Sequence, residues 1–62
     1  MDNMKKTRFE GLVKTIDYYL WLVFDGHKLS KEQIKQLKEA SDTICCFGEL
    51  GEQWHVAAQE IL

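Results

Sequence analysis

The chain has 62 residues, 45% of them hydrophobic and 29% charged, with no proline and a net charge of −2. That is too apolar for a disordered tail and too short for more than one domain, so residues 1–62 read as a single unit. A chain this short buries only about 60% of the surface its unfolded form exposes, so small folds lean on disulfides, a metal or oligomerisation.

The charge is unevenly spread. Residues 1–38 hold all eight Lys and Arg with five acids, a net +3, and residues 39–62 hold five acids and no Lys or Arg, a net −5. Such polarity suits head-to-tail pairing or a partner of mixed charge, although uneven charge is also ordinary in a domain this small. The two cysteines, Cys45 and Cys46, are adjacent. A bridge between neighbours strains the peptide that joins them, so the expectation is two reduced thiols in a cytoplasmic protein. The opening M-D-N-M-K-K-T-R is charged, but Glu10 and Lys14 interrupt the apolar residues after it, and no signal peptide is read. The longest apolar run, Tyr18–Phe24, falls far short of the roughly 20 residues a membrane-spanning helix needs. No membrane association is expected.

The sequence predicts three helices in an all-α fold. The first covers about residues 7–24. Thr7-Arg8-Phe9-Glu10 fits a capping box, and Phe9, Leu12, Val13, Ile16, Leu20 and Val23 follow at spacings of three and four, one stripe of a 3.6-residue period. Asp25-Gly26-His27 ends it, with Gly26 free to take a positive φ. The second covers about residues 31–47. Ser30-Lys31-Glu32-Gln33 is a second capping box, flanked by Leu29 and Ile34 as a hydrophobic staple. Its inward stripe is Ile34, Leu37, Ser41, Ile44 and Cys45, with Ala40 and Phe47 on the edge. The third, about residues 52–61, points Leu50, Trp54, Ala57 or Ala58, and Ile61 inward, and Gly48 with Gly51 makes the turn before it. The aromatic run at Tyr18–Phe24 also suits a strand. The helical stripe passes through it in register, and no second strand is available to pair with it. The architecture expected is two long helices as an αα-hairpin plus a shorter C-terminal helix, associating as a dimer.

The first helix carries more apolar surface than one core needs. At about 100° per residue, Gly11, Lys14, Tyr18, Trp21 and Leu22 fall opposite the Ile16 stripe. Tyr and Trp are common interface anchors, and Gly11 admits a close neighbour. The competing reading has the third helix covering this face within one protomer. The arc is wider than two neighbours require, so an interface is favoured.

The remaining patterns are weaker. Lys31, Lys35 and Lys38 stack on one face of the second helix and could meet phosphates or an acidic partner. Lys38 and Asp42 also form an i,i+4 pair, and a solvated face accounts for the row more simply. A DNA-binding helix-turn-helix would place residues 52–60 in the groove, yet that segment has two acids and no Lys or Arg, which opposes phosphate contact. Cys45, Cys46, His27 and His55 lack metal-ligand spacing. Cys46, His55 and Asp42 supply the residue types for nucleophilic catalysis, but three short helices rarely enclose the pocket that chemistry needs.

The sequence therefore reads as a non-enzymatic interaction module without metal or cofactor. It would bind itself and another, unidentified protein stoichiometrically, as a regulator, adaptor or inhibitor. The alternative is a small nucleic-acid-binding regulator using Lys5, Lys6, Arg8 and the second-helix lysines.

Overall fold

The computed structural model describes residues 2–62, with side chains described from Lys5 onward. Three α-helices and no strand are present among the described residues: α1 Asp2–Phe24, α2 Lys31–Ile44 and α3 Glu49–Ile61, with a 3-10 turn over Cys45–Phe47 between the last two. Each helix packs against both others. At 1.5 Å per residue α1 is about 35 Å long, against about 20 Å for α2 or α3. It sets the long axis of a molecule measuring 38 × 18 × 17 Å, and it outruns the cover that either neighbour can provide.

α1 begins at Asp2, not at Thr7. No glycine or proline stands between Met1 and Lys6, so nothing stops the helix propagating upstream, and Thr7 lies inside it rather than capping it. Its other end matches the sequence reading. Gly26, at φ 88°, lets the Gly26 N–H donate to the Val23 carbonyl (3.0 Å) and the His27 N–H to the Leu22 carbonyl (2.9 Å). That pair of bonds is a Schellman closure, and it needs a residue at ease with positive φ.

The capping box of α2 forms as its sequence predicts. The Gln33 N–H donates to Ser30 Oγ at 3.2 Å, and the Ser30 N–H donates to Gln33 Oε1 at 2.8 Å. The α-helix ends at Ile44, three residues before the predicted limit, because the chain tightens into the 3-10 turn. That turn rotates Cys45 off the inward stripe, and both cysteines are exposed free thiols. The expected core role for Cys45 is therefore corrected.

α3 also starts earlier than predicted, at Glu49, so Gly51 belongs to its first turn instead of the preceding loop. Gly51 is buried there, and a methyl group added to it would overlap the Ile44 carbonyl oxygen at the end of α2. The backbones meet at this point, which only glycine permits. Leu50, one position and about 100° away, is consequently 62% exposed and not inward as predicted. Glu49 and Glu52 sit in the first turn, where negative charge suits the helix dipole.

The core comprises Ile16 and Tyr19 from α1, Leu37, Ala40 and Ile44 from α2, and Ala58 from α3. Phe9, Leu12, Val13, Leu20, Trp54 and Ile61 pack around it. Two polar links run through it. The Tyr19 hydroxyl donates to Gln36 Oε1 at 2.6 Å, and Ser41, fully buried, bonds to His55 and Gln59 of α3. No buried side-chain polar atom among the described residues lacks a hydrogen-bond partner, so this polarity enters the core without an orphan.

Candidate functional site

Two surfaces on α1 stand apart from the core. The first lies in its C-terminal half. Tyr18 is 59% exposed, Trp21 60% and Phe24 74%. Helical spacing brings Trp21 and Phe24 together, their rings 6.2 Å apart edge to face. The Tyr18 ring leans on Tyr19 at 5.5 Å, which links the exposed ring to a buried one. Lys14 and Gly11 are exposed on the same helix, and a methyl group added at Gly11 would meet nothing within 4 Å. Leu22 departs from the expected set. It is half-buried and packs against the core, because it falls nearer to Tyr19 around the helix than to Trp21. Phe24 joins the exposed aromatics in its place. Sequence spacing could have found it, three residues after Trp21.

The second surface lies at the other end of α1. Lys5, Lys6, Arg8 and Phe9 form one wall of a groove, and Cys46, Phe47 and Leu50 form the other, enclosing about 500 Å³. Phe9 and Phe47 make its floor, with ring centroids 5.7 Å apart. The 3-10 turn positions this wall by carrying Cys46 and Phe47 round to face α1. Among the described residues no acidic side chain lines the groove. Sequence reasoning missed it because its two walls are far apart in the chain.

Lys31, Lys35 and Lys38 are exposed on α2. Lys35 shares a shallow surface depression with Glu32, Gln36 and Glu39, so the row has acidic neighbours. His55 is turned into the bundle. Its Nδ1 lies 2.7 Å from Ser41 Oγ and 2.8 Å from the Ser41 carbonyl oxygen, which commits that nitrogen to the α2–α3 contact. The sequence-level grouping of His55 with Cys46 and Asp42 is thus not the partnership this nitrogen makes. Cys45 donates to the Asp42 carbonyl at 3.0 Å. Partial desolvation, then Cys46 as a hydrogen-bond partner and, once ionised, as a like charge, then the Asp42 carboxylate, push the Cys45 thiol above its ordinary value of 9.0, against a smaller downward pull from a backbone hydrogen bond. A thiol held neutral is a poor nucleophile.

Neither family models, nor curated proteins, nor solved structures offer a match to this chain. Among the described residues no three His, Cys, Asp or Glu side chains converge on a metal position, and no helix is long and apolar enough to cross a membrane.

Proposed function

We propose that this protein is a non-enzymatic interaction module that associates with itself and binds a protein partner stoichiometrically, as a regulator, adaptor or inhibitor. The outer face of α1 is the contact surface, with Tyr18 and Trp21 as anchors, Phe24 beside them, and Lys14 at the rim. The observation that carries this reading is the exposure of three neighbouring aromatic rings on one helix face. Clustered large aromatics left in water mark binding surfaces, whereas single exposed apolar residues need no explanation. A two-fold pairing of this face with its own copy is the commonest arrangement for such a patch. Sedimentation velocity from micromolar concentration upward into the range where the chain associates, on the native chain and on a Tyr18→Ser, Trp21→Ser double variant, is the test. A dimer that the double variant dissociates, with its helical content intact, supports the reading. A native chain that sediments as a monomer throughout overturns self-association.

A second reading, a nucleic-acid-binding regulator, draws on the clustering of Lys5, Lys6 and Arg8 on α1. A mobility-shift titration at two salt concentrations separates the two. Phosphate contacts make retention strongly salt-dependent, and an absence of retention at low salt removes this reading.

A further inference from the structure

We propose that the groove between the N-terminal part of α1 and the 3-10 turn is a binding site for a free, single-chain amphiphilic carboxylate, a fatty-acid-like anion. The volume of about 500 Å³ falls within the roughly 300–1,000 Å³ typical of small-ligand sites. The lining is segregated. All three cations, Lys5, Lys6 and Arg8, come from α1, while Phe9, Phe47 and Leu50 supply the apolar surface. A ligand with one charged end and one apolar end matches that division. None of the three cations is paired with a carboxylate among the described residues, so a ligand anion would not have to displace one.

The charge arrangement favours this class over its rivals. Arg8 presents a planar fork that fits a carboxylate in two hydrogen bonds, and the lysines add point charges beside it. The groove is open at its mouth, so the head group can stay hydrated while the tail covers the Phe9–Phe47 ring pair and Leu50. That avoids the cost of burying an ion. Leu50, left 62% exposed, is the residue with most apolar surface to gain. A bilayer surface would be met by a flat cationic face, whereas this is a concavity sized for one molecule. The groove lies roughly 20 Å along α1 from the Tyr18–Trp21 face, so the inference does not depend on self-association.

The test is an amide-resolved NMR titration of the full chain with sodium dodecanoate below its micelle concentration. Parallel titrations use dodecyltrimethylammonium, which has the same tail and the opposite charge, and phosphatidylglycerol vesicles. Saturable shifts at Cys46, Phe47 and Leu50 with dodecanoate, and not with the cationic amphiphile, are the expected result. A Lys6→Glu, Arg8→Glu double variant, altered only at exposed positions, should keep its helical circular dichroism and bind about tenfold more weakly. Equal binding of both amphiphiles, shifts centred on Tyr18 and Trp21 instead, or binding to vesicles without binding to free dodecanoate would each overturn the proposal.

Discussion

His55 of α3 holds the end of α2 through Ser41, with Nδ1 2.8 Å from the Ser41 carbonyl oxygen. A carbonyl oxygen only accepts, so Nδ1 must carry the proton. The one Nδ1–H is then shared between the Ser41 carbonyl and Ser41 Oγ, and Oγ also accepts from the Gln59 amide at 3.2 Å. The neutral ring is therefore the Nδ1–H tautomer, which nitrogen-15 chemical shifts of the imidazole will report. An Nε2–H tautomer would show that the two helices are linked differently. His55→Ala removes one donor from Ser41, whose Oγ keeps the Gln59 amide and whose carbonyl keeps the Cys45 N–H, and should cost about 0.5–1.5 kcal/mol in a denaturant melt.

The two glycines within the helices should respond to alanine with opposite signs. At Gly51 the new methyl group meets the Ile44 carbonyl, backbone that cannot swing away, and the loss should be about 1–3 kcal/mol. At Gly11 the methyl group points into open space, and the gain in helix propensity should add about 0.5–1 kcal/mol. Thermal melts of the two variants check both signs.

The same pair shows what the sequence could and could not convey. Local signals were readable: the Ser30–Gln33 box and the Gly26 closure act over a few residues, and both form as their residue types dictate. The α1 stripe was readable because a 3.6-residue period survives any packing arrangement. Gly51 was misread as a turn because its reason for being glycine is the Ile44 carbonyl, a contact from another helix. Leu50 and Cys45 were misplaced for a related cause. An earlier helix start fixes the direction of the residues it takes in, and a tightened turn re-aims those within it, whereas Trp54, Ala58 and Ile61 beyond them stay inward. The groove depends on how α1 meets the 3-10 turn, and no local pattern encodes that meeting.

Tyr19 is the core residue that the stripe omitted. Its ring is buried while its hydroxyl reaches Gln36, so it serves both packing and polarity. Tyr19→Phe keeps the ring and leaves Gln36, which is exposed, free to bond water. The cost should stay near the low end for a hydrogen bond, about 0.5 kcal/mol by urea titration. Tyr19→Ala should cost several times more, because it also empties the core.

Cys45 gives the pH dependence. Its folded thiol titrates above its ordinary value of 9.0. The unfolded chain therefore releases this proton first, and raising pH past that ordinary value disfavours the fold until folded Cys45 ionises as well. Below that range the group is neutral in both states and contributes no slope. Alkylation of Cys45 with iodoacetamide should accordingly lag that of free cysteine at pH 9, followed by mass spectrometry. Asp42→Asn, which removes one of the opposing charges, should narrow the gap.

The proposed function depends above all on the outer face of α1 being where the protein makes contact. The chain holds two tryptophans, Trp21 on that face and Trp54 packed against the core, and their indole N–H signals can be followed together through an NMR dilution series. Contact through this face predicts that the Trp21 signal moves between micromolar and millimolar concentration while the Trp54 signal stays in place. Two indole signals that remain unchanged throughout would contradict it.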